Sequence, residues 1–234
     1  MEEMANLVLA CIAFVGSHFL LSHPLRAPLV TRFGNRRFLG LYSLVALITL
    51  GWVVLAYRAV PMQRFWWHVG DGLWVLATLI MLVASVLLVG SFHGNPALPR
   101  PEEPESARPP APRGVFAITR HPMMWSFALW SLAHILVLPV AANFVLTLGI
   151  AILALGGAAL QDRKKERLQP RLWSRWEGVT SFWPFVALTE GRAQWAAAWP
   201  RTPAFVGGIL LWLAASWAHM PLAGWPAGIW RWIG

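Results

Sequence analysis

The sequence predicts an all-α integral membrane protein, a bundle of about six transmembrane helices that forms a single domain over residues 1–234. Composition gives the first reason: 57% of the residues are hydrophobic and only 12% are charged, against about 25% in soluble domains. The second reason is a series of apolar runs close to the roughly 20 residues with which a helix crosses a bilayer. A helix is expected for each run because lipid offers the backbone no hydrogen-bond partner.

The predicted spans follow one another along nearly the whole chain. They cover residues 5–22, 38–57, 72–92, 121–139, 141–160 and 203–219. The tail after the last span contains Trp225, Trp230 and Trp232, which is typical of an anchor at the membrane surface.

Basic residues are unevenly distributed between the loops. Of the 19 Lys and Arg residues, sixteen lie in the loops after the first, third and fifth spans, and only Arg58, Arg64 and Arg231 lie elsewhere. Loops rich in Lys and Arg stay in the cytoplasm. The sequence therefore predicts that both termini lie outside the cytoplasm. It attributes the net charge of +9 to topology and not to nucleic-acid binding.

Two long connections separate the spans. Residues 93–116 are rich in proline and also contain three glutamates, which predicts an extended cytoplasmic loop. Residues 163–183 alternate basic and aromatic side chains. That pattern predicts a short amphipathic helix on the membrane surface, started or broken by Pro170.

Histidines inside the spans mark the candidate site, because ionisable groups are costly in lipid. His18 and His134 lie within predicted spans, whereas His23 and His121 each precede a proline at a cytoplasmic span end. Aromatic side chains share the helical faces of His18 and His134. Two interpretations remain open: each imidazole ligates a metal such as haem iron, or each hydrogen-bonds a neighbouring helix.

Several other kinds of chemistry are excluded by composition. The single cysteine, Cys11, excludes an internal disulfide and a multi-cysteine metal site. All ten acidic residues lie in loops, at the termini or near span ends. This distribution argues against acid–base catalysis by paired carboxylates inside the bilayer, and against proton pumping.

Four segments together are similar to a known family. They are GSHFLLSHPLRAPLV (16–30), RRFLGLYSLVALITLGWVVLAY (36–57), ITRHPMMWSFALWSLAHIL (118–136) and TSFWPFVAL (180–188). They resemble the NnrU family of bacterial membrane proteins, named for a genetic link to nitrite and nitric oxide reduction. The zeta-carotene isomerase of plants and cyanobacteria belongs to that family, and it isomerises a polyene with a haem b held by histidine.

The resemblance implies a multi-pass haem b protein of the bacterial inner membrane with periplasmic termini. It makes His18 and His134 the axial ligands of the iron. His121 is the reserve ligand, because it lies nearer the depth of His18. It also implies either cis–trans isomerisation of an apolar polyene that enters from the lipid, or a role in nitrite and nitric oxide respiration. The aromatic residues expected to shape the substrate channel are Trp125, Phe127 and Trp130.

Helix geometry sets a condition on that ligand pair. His18 lies about 14 residues into an inward-running span and His134 about 14 residues into an outward-running one, so their depths differ by on the order of 10 Å. One iron would then need a displaced helix or a different second ligand. The cytoplasmic arginines that could pair with the haem propionates, besides their role in topology, are Arg26, Arg37 and Arg120.

Two other functions stay open. The segment RHP (120–122) also resembles, more weakly, the isoprenylcysteine and phospholipid methyltransferases, which bind S-adenosylmethionine. Those enzymes carry paired glutamates further along the chain, where this sequence has Gln161, Asp162 and an isolated Glu166. The other function is that of a non-enzymatic factor that handles haem or assembles respiratory complexes.

Overall fold

A computed structural model describes residues 1–96 and 111–233 of the chain. The protein is 76% helix, and no strand occurs in the two described ranges. In chain order the helices are α1 (Glu2–Ser22), α2 (Arg26–Phe33), α3 (Asn35–Ala59), α4 (Asp71–Gly90), α5 (Val115–Ile118), α6 (Pro122–Val137), α7 (Ala141–Leu168), α8 (Pro170–Val179), α9 (Val186–Thr189), α10 (Thr202–Ala223) and α11 (Trp230–Ile233).

Five helices are long and apolar enough to cross a membrane, namely α1, α3, α4, α7 and α10. A sixth apolar helix, α6, is shorter, with 16 residues. These six helices occupy the six predicted spans. The all-α membrane bundle predicted from the sequence is therefore confirmed.

Proline sets the boundaries of α6. Pro122 occupies its first turn, where the missing N–H has no intrahelical partner to lose. The helix ends at Val137, two residues earlier than predicted, because Pro139 keeps the residue before it out of the helical conformation.

Helix α7 extends well beyond its predicted span. It continues to Leu168, eight residues past the predicted end, and so includes the charged sequence 161–168. Charge is unfavourable in lipid, but Lys, Arg, Glu and Gln are good helix formers. The apolar run therefore marks the end of the membrane-compatible part of the helix and not the end of the helix itself.

The long helices pack as a row. Helix α3 packs against α1, α1 against α7, α7 against α6, α6 against α4, and α4 against α10. Glycine allows the closest of these contacts: a Cβ atom on Gly208 of α10 would lie 2.7 Å from the Cα of Val86 in α4. Helix α7 consequently separates α1 from α6, which are the two helices that carry His18 and His134.

The shorter elements are a surface helix and the C-terminal tail. The predicted amphipathic helix is present as α8, which begins at Pro170 and buries Leu172, Trp173 and Trp176. The C-terminal tail folds back on α10, because Trp230 Nε1 donates to Ser216 Oγ at 3.1 Å. The predicted extended loop at 93–116 lies mostly outside the described residues.

Candidate functional site

A cavity of about 460 Å³ lies among α4, α6, α7, α10 and the C-terminal tail. Its volume falls within the range of about 300–1,000 Å³ that is usual for ligand and cofactor sites. Most of its wall is apolar or aromatic, including Trp130 of α6, Trp212 of α10 and Trp225 of the tail. The few polar side chains in this wall include two histidines.

His134 of α6 and His219 of α10 lie close together in the cavity wall. Their ring centroids are 6.0 Å apart, and their planes differ by 35°. Two imidazoles that bind one ion at metal–nitrogen distances of about 2.0–2.1 Å have ring centres roughly 6 Å apart. The separation of the two rings is therefore suited to a single metal ion between them.

Both rings are held through the same nitrogen. Nδ1 of His134 donates to the Trp130 carbonyl, and Nδ1 of His219 donates to the Ala215 carbonyl, each at 2.8 Å. Because a carbonyl oxygen only accepts, Nδ1 carries the proton and Nε2 of the neutral ring keeps its lone pair. Histidines that bind metals are commonly held in this way by a backbone carbonyl.

Three polar atoms in the cavity wall have no hydrogen-bond partner among the described residues. They are Thr78 Oγ1, Trp212 Nε1 and Arg231 Nε, and all three atoms are buried. A buried donor without a partner costs about 1–3 kcal/mol.

His18 lies elsewhere in the row of helices. Its Nδ1 donates to the Phe14 carbonyl at 2.7 Å, and its ring packs edge-on against Phe14 and Tyr42. Among the described residues that line the cavity, none belongs to α1. The structure therefore places one of the two predicted ligands in the cavity and the other outside it.

Helix α7 gives a measure of the distance between the two histidines. In its first turn, Asn143 donates to the His134 carbonyl at 2.9 Å. Thirteen residues further on, Gly156 faces the ring of Phe19, the neighbour of His18. Thirteen residues of α-helix rise on the order of 20 Å. The His134 carbonyl and the Phe19 ring therefore lie at well-separated levels of α7, and the structure does not bring His18 and His134 together.

A buried ionic cluster lies at the opposite end of α6. His121 Nε2 donates to Asp162 Oδ1 at 2.7 Å, because a carboxylate can only accept. Arg120 contacts Oδ2 of the same carboxylate through Nε at 2.8 Å and Nη2 at 2.7 Å. Arg120 Nη2 also lies 3.0 Å from Glu177 Oε1. The cluster joins the start of α6 to α7 and α8.

The two carboxylates of this cluster differ in their electrostatic setting. The Asp162 side chain is 8% exposed and the Glu177 side chain is 28% exposed. Burial raises the pKa of the Glu177 carboxyl above its usual value, and the charges of Asp162 and Glu166 act in the same direction. The positive charge of Arg120 opposes this rise without cancelling it. Asp162 is therefore the main anionic partner of the cluster.

Because its Nε2 is bound to Asp162, His121 is engaged within the protein. Ligation of a metal by this nitrogen would require the bond to Asp162 to be given up. Within residues 1–96 and 111–233, no group of three His, Cys, Asp or Glu side chains is arranged to hold a metal ion. A metal here would have to rely on a pair of protein ligands, as haem iron does.

Two of the segments on which the family resemblance rests are in direct contact. The backbone N–H of Arg120 donates to the Ser181 carbonyl at 2.8 Å. Thr119 Oγ1 and Trp125 Nε1 donate to the Phe182 carbonyl at 2.7 Å and 2.9 Å. Segment 180–188 thus fixes the start of α6, and with it the direction in which α6 carries His134.

The other residues predicted for the site divide between the cavity and the rest of the molecule. Trp130 lines the cavity and stacks on His134, with ring centroids 4.0 Å apart. Trp125 packs on Phe182, and Phe127 is exposed.

The three arginines predicted to pair with propionates do not line the cavity. Arg120 belongs to the ionic cluster, the Arg26 guanidinium lies 5.6 Å from the centre of the Phe38 ring, and Arg37 is exposed.

Sequence reasoning missed His219 and the partners of Arg120. The signal for His219 was its position near the outer end of the last span, which is the end at which His134 also lies. The spacing of Trp212, Ser216 and His219 on one helical face was a further signal. Asp162 entered the sequence analysis only as a departure from the paired glutamates of the methyltransferases.

Comparison with known proteins agrees with the resemblance found in the sequence. A family model described as NnrU protein matches residues 6–227 of the 234-residue chain. No curated protein and no solved structure matches it. The matched range includes α3, α4, α6, α7, α10 and most of α1, together with His134, His219 and the ionic cluster. The chain belongs to the NnrU family of membrane proteins.

Proposed function

We propose that the protein binds haem b in the cavity between α4, α6 and α10, with His134 and His219 as the iron ligands. One observation carries the proposal: two imidazole rings with centroids 6.0 Å apart line a mostly apolar cavity, and each bonds through Nδ1, with no Nε2 partner within residues 1–96 and 111–233. Imidazole is a common axial ligand of haem iron. His219 takes the place that the family resemblance would give to His18.

The residues of the cavity fit haem in three respects. The wall supplies flat aromatic surface, the histidines supply nitrogen ligands, and the cavity volume is in the range of cofactor sites. When bound, haem supplies an iron that exchanges one electron and acts as a Lewis acid.

The chain's own contribution would be to hold and shield the iron ligands. The Trp130 carbonyl and the stacked Trp130 ring fix the tautomer and the orientation of His134. The mostly apolar wall favours binding of an apolar molecule. A fitting reaction is cis–trans isomerisation of a polyene that enters from the lipid. A role in nitrite and nitric oxide respiration is the alternative.

The orientation of the bundle belongs to the same proposal. We place the protein in the bacterial inner membrane with both termini in the periplasm, because the basic loops then face the cytoplasm. His134 and His219 would then lie in the outer half of the bilayer, and the Arg120 cluster would lie at the cytoplasmic end.

The test is the absorption spectrum of the detergent-purified protein with haem, oxidised and then dithionite-reduced. We expect a Soret band with sharp reduced α and β bands, as for an iron with two histidine ligands. His134→Ala and His219→Ala should each lose the sharp reduced bands. His18→Ala is the matched control, because that ring makes the same backbone hydrogen bond outside the cavity.

Two results would contradict this assignment. A flat visible spectrum after haem is added back would exclude haem binding, and S-adenosylmethionine binding would then be measured. If His18→Ala lost the sharp bands while His219→Ala kept them, the ligand pair would be His18 and His134, and the helices would have to rearrange.

A further inference from the structure

We infer that segment 183–199 forms a surface that contacts the lipid bilayer, and that its exposed aromatic rings lie in the headgroup region beside the starts of α6 and α10. The segment includes α9 and a short 3-10 helix, Trp195–Ala198, and it belongs to none of the six long helices. We call it the aromatic surface. The inference is independent of haem binding.

Four large aromatic side chains of the aromatic surface are exposed. The exposed fractions are 60% for Trp183, 48% for Phe185, 60% for Trp195 and 81% for Trp199. The rings of Phe185 and Trp195 stack, with centroids 6.4 Å apart and an angle of 15° between their planes. Contiguous apolar side chains on the outside of a protein mark a contact with a membrane or with another protein.

The backbone at Phe185 holds its ring in an exposed position. Phe185 has a φ angle of 69° and is the only non-glycine residue with positive φ in the two described ranges. Its N–H donates to the Ile118 carbonyl at 2.8 Å. Glycine adopts this conformation without the steric cost that a large side chain meets. A phenylalanine here indicates surroundings that favour an exposed ring.

The first end of the aromatic surface lies level with the start of a membrane span. Trp125 is in the first turn of α6, and its ring centroid is 5.4 Å from that of Trp183. Trp125 Nε1 also donates to the Phe182 carbonyl at 2.9 Å. Trp183 is therefore both exposed and in contact with the part of α6 that enters the bilayer.

The other end of the aromatic surface lies at the start of α10. The backbone N–H of Gly114 donates to the Ala197 carbonyl at 2.6 Å, which ties the 3-10 helix to the residues before α5. Trp199 follows, and α10 begins at Thr202. Both ends of the surface are thus fixed where apolar helices begin.

This position identifies the partner as lipid. A bilayer surrounds the bundle at the level where α6 and α10 begin, so lipid is the neighbour of the exposed rings. Tryptophan suits the headgroup region in particular, because its ring is apolar and its N–H is polar.

The experiment places a fluorescent label on the aromatic surface. Ala196→Cys provides the attachment site, because Ala196 is exposed beside Trp195, and Cys11 is buried and should react little. Arg167→Cys, exposed in the charged end of α7, is the control. Both full-length proteins are labelled and placed in phosphatidylcholine nanodiscs, in which both faces of the bilayer are accessible. One quencher is a lipid with a nitroxide next to its headgroup, and the other is iodide in the water.

We expect the nitroxide lipid to remove most of the fluorescence of labelled Ala196→Cys, and iodide to remove little of it. Labelled Arg167→Cys should show the reverse. Adding Trp199→Ser to Ala196→Cys should lower the quenching by the lipid and raise the quenching by iodide. Adding Trp217→Ser, which removes an exposed tryptophan further along α10, should leave both values unchanged.

Three results would overturn the inference. Equal iodide quenching of the two labelled proteins would place the aromatic surface in water. Protection of labelled Ala196→Cys from both quenchers would show that protein, such as a second copy of the chain, covers it. Lipid quenching that Trp199→Ser leaves unchanged would show that the aromatic rings do not hold the segment at the membrane.

Discussion

Asp162 is the residue on which the ionic cluster at the start of α6 depends. It accepts hydrogen bonds from both Arg120 and His121, and its side chain is buried. If one member of a buried ionic network is removed, the remaining charges stay buried without an opposite charge. The resulting loss of folding free energy is larger than the net contribution of the intact network. The Asp162 carboxylate is therefore important for the packing of α6, α7 and α8 at this end of the bundle.

We expect Asp162→Asn to lower the free energy of unfolding by about 3 kcal/mol, because two buried donors lose their anionic acceptor. Thermal unfolding in detergent measures the effect. Glu177→Gln is the matched control, since it also contacts Arg120 but is more exposed, and its effect should be much smaller. Equal losses in the two variants would show that the cluster does not depend on Asp162.

The raised pKa of Glu177 predicts a pH dependence. A carboxyl whose pKa is higher in the folded state than in the unfolded state favours folding below its unfolded pKa, and this contribution is lost as pH rises through the folded pKa. The stability of the unmodified protein relative to Glu177→Gln should therefore fall as pH rises from about 4 towards 7. Unfolding curves of both proteins across this range test the prediction, and a constant difference would contradict it.

At the scale of helices, the contact between α4 and α10 decides the width of the cavity. These helices carry Thr78 and Trp212, and they approach closely at Gly208. A Cβ atom there would lie 2.7 Å from the Cα of Val86, and the backbone cannot yield as a flexible side chain would. Small residues at such contacts are what allow membrane helices to pack.

Gly208→Ala should push α10 away from α4 and destabilise the protein by about 1–3 kcal/mol, the usual cost of overpacking. Gly51→Ala is the control, because nothing lies within 4 Å of the Cβ position in the middle of α3. That change should be neutral or stabilising by up to about 1 kcal/mol. Thermal unfolding measures the stability of both variants. A Gly208→Ala protein as stable as the unmodified protein would contradict the close contact between α4 and α10.

Local properties of the sequence were enough to predict the helices but not the site. Apolar length and prolines predict where spans lie, because each depends only on neighbouring residues. The pair of His134 and His219 depends instead on how α6 and α10 both pack against α4. Eighty-five residues separate these histidines, and no local pattern contains that information. His18 satisfied the same local criteria as His134 but lies on the far side of α7.

At the scale of the whole molecule, the distribution of basic residues predicts the orientation of the bundle. Segment 26–37 belongs to a basic loop, whereas segment 60–70 lies on the opposite side. Cys11 is the only cysteine and is buried, so the unmodified protein should give little background with thiol reagents.

In intact bacteria, we expect Met62→Cys to react with a membrane-impermeant maleimide, because Met62 is exposed in the connection assigned to the periplasm. Thr31→Cys, exposed in a basic loop, should react only after the cells are permeabilised. Mass shifts of the labelled protein provide the measurement. The opposite pattern would reverse the assigned orientation.

The fold-back of the tail also fixes the order of events during biosynthesis. Trp225, Gly228 and Arg231 form part of the cavity wall, and they are synthesised after all six long helices. The cavity is therefore incomplete while the ribosome is still extending α10, and it closes only when the tail docks through Trp230. A molecule in the cavity can therefore complete its contacts with the tail only after α10 has been synthesised.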